Sequence, residues 1–290
     1  MGAPIVAVAT SAEVIGHDED QPVLDEALRS AGCEVRLWAW DDPEAAWPDT
    51  DLVLIRSTWD YVPRHEAFCA WADRVADRTP LHNPAGIVRW NTDKHYLAEL
   101  AAAGVAITPT TWLEPGEVIR LPDAAEVVVK PTVSAGSQDT TRHGLRQGEA
   151  SARGAAAALL DDGRSVMVQP YLDAVDDQGE TGLVYVDGAF HHAFRKAPIL
   201  VQGRSATERL YAPEQITGTT ATAAELALAE QTLAQVAGPP LLYARVDVAT
   251  GPDGRPVLME LELVEPGLFF AACGEPADAL AAAVVGRLRR

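Results

Sequence analysis

The chain has 290 residues, 48% of them hydrophobic and 22% charged, which is enough apolar material for a full core and excludes a disordered or fibrous protein. It carries 42 acidic against 23 basic residues, a net charge of −19, and such a surface repels phosphates and anionic lipids. We therefore expect neither a nucleic-acid nor a membrane partner. Three widely spaced cysteines, with no basic leader and no apolar run of about 18 residues, predict a cytoplasmic protein.

The amino-terminal part alternates between strand and helix signals. An apolar run over 4–10 predicts a buried parallel strand, and a helical stretch follows over 20–31. Strands are predicted again over 34–38 and 52–55. This order predicts a doubly wound, Rossmann-like domain, and the lack of a G-x-G-x-x-G motif argues against a dinucleotide site.

Arg56 directly follows a predicted strand, at the sheet edge where such folds bind ligands. An arginine at this place is a candidate carboxylate binder. Pairing with an acidic neighbour on the surface explains it equally well.

The character of the sequence changes at residue 91. Residues 91–93 are good helix N-caps, and a helix is predicted from them to Ala103. Lys94 would then lie in the first turn, where the helix dipole disfavours a cation, so an anion is expected nearby. Two strands and a helix are predicted to follow, over 126–130, 165–169 and 150–160.

Only three of the 23 basic residues are lysines: Lys94, Lys130 and Lys196. In a chain that fills most cationic positions with arginine, a lysine suggests the need for a compact point charge, although compositional drift explains it equally well. Lys130 ends a predicted strand, and the loop after it contains Ser134, Gly136 and Ser137. The backbone N–H groups of such a loop can face phosphates, and a mobile surface loop is an equally good interpretation.

A further predicted strand ends in Gln169, Pro170, Tyr171 and Leu172, and Asp176 follows. Where a strand leaves a core, its free backbone groups can bind the edge of an adenine ring. An acid a few residues later can bind ribose hydroxyls. An ordinary interdomain hinge would have the same sequence.

The segment 243–263 reads as two alternating strands around a Gly-Pro-Asp-Gly turn. A hairpin centred on the Asp-Gly pair places Asp247 opposite Glu260 and Arg245 opposite Glu262, all on one face. Three clustered carboxylates suit Mg²⁺, whereas an exposed Arg–Glu pair would need no cation. Because the core face would be untouched, changing Asp247 or Glu260 to its amide is expected to leave the fold intact.

Another hairpin is predicted over 180–196, with its turn at Asp187 and Gly188. This register places Glu180 opposite Arg195. Beyond the hairpin we expect a long loop over 201–218 and two helices, over 221–236 and 276–288.

Taken in order, these motifs resemble those of the ATP-grasp superfamily of carboxylate–amine ligases, which includes glutathione synthetase. The resemblance covers the whole chain and implies an α/β fold whose nucleotide-grasping part is α+β. A Rossmann-like substrate domain would occupy 1–90, a small lid domain 91–170 and a core domain 171–290.

The resemblance also implies a role for each nucleotide-binding motif. Lys94, Lys130 and the loop of Ser134, Gly136 and Ser137 would bind the phosphates of ATP. The four residues from Gln169 to Leu172 would contact adenine, and Asp176 would bind ribose.

Metal binding and catalysis are implied for the 243–263 hairpin. Asp247, Glu260 and Glu262 would hold two Mg²⁺ ions, and Glu262 stands where the family usually has asparagine. Arg245 would steady the oxyanion of a tetrahedral intermediate, and Lys130 would neutralise the transferring phosphoryl group. No protein nucleophile is required.

The implied reaction activates a small amino-acid carboxylate as an acyl phosphate, which an amine then attacks. Within the superfamily, segments 56–61, 195–198 and 265–270 look most like those of the cyclo-ligase that closes O-ureido-D-serine into D-cycloserine. Arg195 or Arg56 would then clamp the substrate carboxylate, and Asp60 or Glu13 would bind its amine.

Two alternatives to the cyclo-ligase stay open at this point. One is an intermolecular amino-acid or peptide ligase, and the other is a non-catalytic nucleotide-binding sensor. The expected partner is a small amino-acid-like substrate, and homo-oligomerisation is left open.

Overall fold

The computed structural model describes residues 2–146, 148–200 and 215–289 of the chain. Strands in these ranges form three sheets, of four, four and five strands. No helix within the same ranges is both long and apolar enough to cross a bilayer. The predicted α/β class is confirmed.

The first sheet is parallel and is built from the amino-terminal residues. Its strands are β1 (Ile5–Thr10), β2 (Glu34–Ala39), β3 (Leu52–Ile55) and β4 (Leu81–His82), in the order β2-β1-β3-β4. Helix α1 (Asp20–Ser30) packs against Val6 and Leu54, and α2 (His65–Ala76) packs against Ala7 and Val53. Because neighbouring residues of a strand point to opposite faces, the two helices cover the two faces of the sheet. The predicted Rossmann-like arrangement is thereby confirmed.

Two short helices, α3 (Ala85–Asn91) and α4 (Tyr96–Ala102), stand where one helix from 91 to 103 was predicted. Lys94 precedes α4 and does not lie in its first turn, so the expected conflict with the helix dipole does not arise. The backbone N–H of His95 donates to Oδ1 of Asp93 at 3.1 Å, which closes the turn between the helices.

The second sheet is antiparallel and is covered by one helix. Its strands are β5 (Thr111–Leu113), β6 (Glu126–Pro131), β7 (Thr141–Gly144) and β8 (Val166–Pro170), in the order β5-β8-β6-β7. Helix α5 (Ala150–Asp161) packs on it through Ala152 and Ala156, which contact a cluster containing Val127 and Val129. Small alanine side chains let the helix lie close to the sheet.

The third sheet is antiparallel and has five strands. They are β9 (Glu180–Val186), β10 (Ala189–Lys196), β11 (Ile216–Thr219), β12 (Tyr243–Thr250) and β13 (Pro256–Glu262), in the order β11-β10-β9-β12-β13. The accompanying helices are α6 (Ala174–Gln178), α7 (Ala223–Leu233), α8 (Phe270–Cys273) and α9 (Asp278–Leu288). Most of the loop predicted over 201–218 lies outside the described residues, and its last residues belong to β11.

The two faces of the third sheet belong to different cores. Val246, Val248, Leu261 and Leu263 are buried, as predicted, in a cluster with residues of α3, α4 and α7. The opposite face, represented by Val184, packs with α1 and α9. Arg245 and Asp247 belong to that opposite face because they alternate with the valines of β12. The site is therefore assembled on the face turned toward the amino-terminal sheet.

The outer edge of β13 is covered by side chains and a short backbone segment. Asn91 accepts from the N–H of Leu263 at 2.7 Å and donates to the carbonyl of Leu261 at 2.8 Å. The hydroxyl oxygen of Tyr96 accepts from the N–H of Leu261 at 3.0 Å. Leu258 exchanges backbone hydrogen bonds of 2.8 and 3.1 Å with the segment that precedes β5. These contacts pair backbone groups that an edge strand would otherwise leave open.

Candidate active site

A cavity of about 560 Å³ lies where the three sheets meet. Its wall also includes the loops that follow β1 and β3. The predicted site residues in this wall are Lys94, Lys130, Ser134, Gly136, Ser137, Gln169, Pro170, Tyr171, Leu172, Arg245, Glu260 and Glu262. Motifs predicted separately along the sequence are thus brought together at one place.

The β12–β13 hairpin has the predicted register at the cavity. Arg245 pairs with Glu262, and Asp247 pairs with Glu260. A β-bulge directly after Asp247 shifts the turn-side half of the hairpin by one residue, so that Val248 pairs with Leu258. The bulge lies on the turn side of the polar pairs and leaves their alignment unchanged.

Asp247 is a buried counter-ion. It is 1% exposed and accepts from Nε and Nη2 of Arg245, both at 2.9 Å, and from Nζ of Lys196 at 3.0 Å. Burial alone would raise the pKa of Asp247, but Arg245 and Lys196 outweigh it and hold the pKa below its ordinary value. Asp247 lies behind the cavity wall that the described residues form, so its predicted contact with Mg²⁺ stays a prediction.

The carboxylates of Glu260 and Glu262 line the cavity in different electrostatic environments. Burial would raise the pKa of Glu260, but Lys94, 3.1 Å away, and Lys130 hold it below its ordinary value. Burial raises the pKa of Glu262 to about 8, although the guanidinium of Arg245 contacts this carboxylate and opposes the shift. Glu260 is therefore the stronger candidate for an anionic ligand at neutral pH.

Lys94 links two sides of the cavity. Its ammonium donates to the carbonyl oxygen of Ser134 at 2.7 Å and to Oγ of the same residue at 3.1 Å, and it also contacts Glu260. It therefore joins the loop after β6 to β13. Lys130 lies at the end of β6 in the same wall, and burial lowers its pKa although Glu260 opposes the shift. Because burial disfavours its charged form, a nearby anion would stabilise the ammonium.

The loop after β6 curves around the cavity. Gly136 and Ser137 have φ values of 58° and 60°. This left-handed conformation suits glycine and can direct successive N–H groups to one side, as anion-binding loops do. Together with Ser134, these residues form part of the wall, although their contact with phosphates stays a prediction.

The end of β8 behaves as predicted only in part. Gln169, Pro170, Tyr171 and Leu172 line the cavity, whereas Asp176 does not belong to the wall that the described residues form. The carboxylate of Asp176 accepts from Arg142 at 2.8 and 2.9 Å and from the hydroxyl of Tyr171 at 2.6 Å. The predicted ribose contact of Asp176 therefore has no support in this arrangement.

The predicted register of the β9–β10 hairpin is wrong at the cavity. A β-bulge between Phe190 and His192 shifts the pairing by one residue, so Glu180 pairs with Lys196, and Arg195 pairs with Thr181. A one-residue slip sends each side chain to the other face of the sheet. Lys196 consequently points into the cavity, and its ammonium lies 3.0 Å from Asp247 and 3.3 Å from Glu180. Arg195 is turned away and cannot clamp a substrate there.

The other three residues predicted to bind substrate also lie away from the cavity that the described residues enclose. Arg56 is 2% exposed, stacks 5.6 Å from the ring of Tyr243 and lies 4.0 Å from Asp20. Asp60 accepts from the indole N–H of Trp40 at 2.8 Å and pairs with an arginine of the adjacent turn. Glu13 is exposed on the loop after β1. Arg56 thus packs between the first sheet and β12, and Asp60 is engaged by neighbours that follow β2 and β3.

Sequence reasoning missed Lys196 and Glu265, two charged residues of the cavity wall. The signal for Lys196 was its membership of a set of three lysines. Glu265 follows β13, and its carboxylate accepts a hydrogen bond from Tyr61. The indole N–H of Trp59 donates to the carbonyl oxygen of Glu265 at 2.8 Å. No strand register could have indicated Glu265 because it lies in a loop.

The carboxylates that reach the cavity fit a magnesium ion carried by a ligand, and not an all-protein metal cage. No group of three or more acidic, histidine or cysteine side chains among the described residues is arranged to hold a metal. Glu260 and Glu262 nevertheless present hard oxygen donors on one face of β13. Mg²⁺ in proteins commonly takes about one or two carboxylates and completes its shell with phosphate oxygens and water. The donor set therefore suits Mg²⁺ bound together with a nucleotide.

Comparison with known proteins identifies relatives of this chain. Residues 6–83 match the family model described as the N-terminal domain of D-cycloserine synthetase DcsG. The cycloserine biosynthesis protein DcsG of Streptomyces lavendulae is 35% identical over 307 residues, which cover 98% of this chain and 99% of that protein.

Solved structures similar to this chain also include DcsG. D-cycloserine synthetase DcsG superposes with a TM-score of 0.88 at 34% identity, covering 98% of this chain and 99% of that chain. The ATP-grasp ligase PsnB, solved with a precursor variant, Mg and ADP, superposes with a TM-score of 0.63 at 15% identity over 100% of both chains. PsnB shares the fold alone, whereas the full-length identity to DcsG shows common family membership. The chain belongs to the DcsG family of ATP-grasp ligases.

Proposed function

We propose that this ligase closes O-ureido-D-serine into D-cycloserine at the expense of ATP. The substrate carboxylate takes the terminal phosphoryl group of ATP and becomes an acyl phosphate. The nitrogen bonded to the side-chain oxygen of the same molecule then attacks the acyl carbon, and phosphate leaves. The carbamoyl group on that nitrogen is lost with one water as CO2 and NH3, which gives D-cycloserine. The observation that carries the proposal is the convergence of Lys94, Lys130, Lys196 and Arg245 on one cavity in a chain related to DcsG along its whole length.

Each cation of the cavity has a role in this reaction. Lys130 and Lys94, with the loop of Ser134 to Ser137, bind the phosphates and offset their charge during transfer. Lys196 supplies a third ammonium that offsets the charge of the phosphoryl group during its transfer. Arg245, held by Asp247 and Glu262, donates to the oxyanion that forms when nitrogen attacks the acyl carbon.

Magnesium and adenine complete the proposed site. Glu260 and Glu262 would hold two Mg²⁺ ions together with the phosphates, and bound Mg²⁺ supplies Lewis-acid stabilisation of phosphoryl charge. The end of β8, from Gln169 to Leu172, would receive adenine. The unpaired states of Cys33, Cys69 and Cys273 support a reducing, cytoplasmic site of action.

The test is a substrate assay with two readouts. Purified protein is incubated with ATP, Mg²⁺ and O-ureido-D-serine, and phosphate release is followed while products are identified by mass spectrometry. D-cycloserine formed in step with phosphate supports the proposal, and the Glu260→Gln variant is the matched inactive control. A dipeptide mass from two amino acids would identify an intermolecular ligase, and ATP binding without any phosphate release would identify a nucleotide sensor.

A further inference from the structure

The acidic residues of the cavity wall differ in whether a cation already neutralises them. Glu260 pairs with Lys94, Glu262 with Arg245 and Glu180 with Lys196. These three carboxylates are therefore matched by cations of the protein itself.

The acids contributed by the loop after β1 are occupied or exposed. Asp20 accepts from the backbone N–H groups of Leu268 at 3.0 Å, Phe269 at 2.6 Å and Ala271 at 3.2 Å, so it holds the loop that leads to α8. The carboxylate of Asp18 accepts from the backbone N–H of Asp20, the first residue of α1, at 2.9 Å and from the hydroxyl of Ser57. Glu19 is exposed at the rim.

Glu265 differs from these other acids of the wall in its partner. Its carboxylate accepts a hydrogen bond from the neutral hydroxyl of Tyr61, and no ion pair to it occurs among the described residues. Burial raises the pKa of Glu265 to about 7, which a cation bound beside it would reverse. Among the described residues, Glu265 is therefore a buried acid of the wall that forms no ion pair, although the charge of Lys94 acts on it from farther away.

The surroundings of Glu265 fix its position relative to the reacting groups. Tyr61 is 2% exposed and stacks on Phe68 at 4.8 Å. The indole of Trp59 holds the backbone of Glu265, and two residues later the carbonyl of Gly267 accepts from Nη1 of Arg245 at 2.9 Å. One short loop thus joins Glu265 to the arginine that faces the acyl carbon.

We propose that Glu265 binds the α-ammonium group of the amino-acid substrate and that Tyr61 is the positioning residue that orients its carboxylate. A substrate whose acyl carbon lies at Arg245 has its α-carbon one bond away, and Glu265 lines the same cavity two residues before the carbonyl that Arg245 contacts. This inference rests on the proposed function in taking the substrate to be an amino acid. It replaces Asp60 and Glu13, the acids expected from the sequence, neither of which lines the described cavity.

The test compares two substrates in two variants and one control. The substrates are O-ureido-D-serine and its counterpart with hydrogen in place of the α-amino group, and the variants are Glu265→Gln and Tyr61→Phe. In Glu265→Gln the KM for O-ureido-D-serine should rise at least about tenfold, equivalent to about 1.4 kcal/mol, while the KM for the deamino compound stays within twofold. Tyr61→Phe should shift the same KM in the same direction by a smaller factor with kcat retained. Glu44→Gln, which removes an exposed carboxylate, should change neither KM.

Equal changes of KM for both substrates in Glu265→Gln would overturn the inference. If the wild-type protein releases no phosphate with O-ureido-D-serine, the proposed cyclisation is refuted. A binding measurement then tests separately whether Glu265 binds an α-ammonium group. Calorimetric titration of protein loaded with ADP and Mg²⁺ then compares D-serine with 3-hydroxypropanoate. A preference for D-serine that disappears in Glu265→Gln supports the subsite, and equal affinities in the wild-type protein overturn it.

Discussion

Replacing Asp247 with asparagine should destabilise the fold strongly. The carboxylate is 1% exposed and is shared by Arg245 and Lys196 through three contacts of 2.9, 2.9 and 3.0 Å. Removing one partner from a buried ion cluster costs about 3–5 kcal/mol, because the remaining charges stay buried without their counter-ion. In the variant, Arg245 still pairs with Glu262 and Lys196 still pairs with Glu180. We therefore expect a loss of free energy of unfolding at the lower end of this range, about 3 kcal/mol, or a fall in Tm of about 6–12 °C.

The assay is thermal unfolding followed by circular dichroism at pH 7 without nucleotide. Asp253→Asn is the matched control, because Asp253 lies in the exposed turn of the same hairpin and pairs only with Arg255 among the described residues. The control should melt within about 1 °C of the wild-type protein. A variant at Asp247 that melts like the control would refute the assignment of Asp247 as a buried counter-ion. It would favour the earlier expectation that its amide leaves the fold intact.

Three further predictions concern the cavity. Lys130→Ala should weaken binding of a non-hydrolysable ATP analogue at least about tenfold in calorimetric titration, and unchanged affinity would mean that β6 does not deliver a phosphate ligand. Residues 133–140 should gain protection from hydrogen exchange when ATP and Mg²⁺ are added, because the loop carries few apolar contacts of its own; equal protection in both states would contradict this. Burial raises the pKa of Glu265 to about 7 from an unfolded value of 4.5, so its contribution to stability is full below pH 4.5 and is lost as the pH rises through about 7. The fall in Tm between pH 5 and pH 8.5 should therefore be smaller in Glu265→Gln than in the wild-type protein, and an equal fall would show that Glu265 is not the titrating group.

The two hairpins show how far register can be predicted from a turn signal. In β9–β10 the turn is where the sequence placed it, and the bulge at Phe190–His192 then shifts every pair on the cavity side. In β12–β13 the pairs next to the turn are centred on Asp253, whereas the prediction centred them between Asp253 and Gly254. The bulge after Asp247 compensates for this offset of half a residue. The pairing of Asp247 with Glu260 was therefore predicted correctly through two cancelling shifts. Bulges carry no reliable sequence signal at these positions, because alternation of apolar and polar residues continues across them.

Other parts of the site followed from composition and chain order. The apolar strands of the first sheet and the small-residue loop after Lys130 have strong local signals, and the structure contains both. The mutual positions of charged groups had no such signal. That Asp247 is already neutralised by Lys196, and that Tyr61 meets Glu265, depends on contacts between residues far apart in sequence. Local patterns cannot specify such contacts.

The covered edge of β13 also bears on self-association. An open edge strand is a template on which a second copy can add its own strand, by aggregation or by domain swapping. Here the amide of Asn91, the phenol of Tyr96 and the backbone before β5 occupy those positions. A second copy would have to displace all of them to extend the sheet at this side. A dimer formed by strand addition must therefore use an edge other than that of β13, and the loss of Asn91 would open a route to strand-mediated aggregation here.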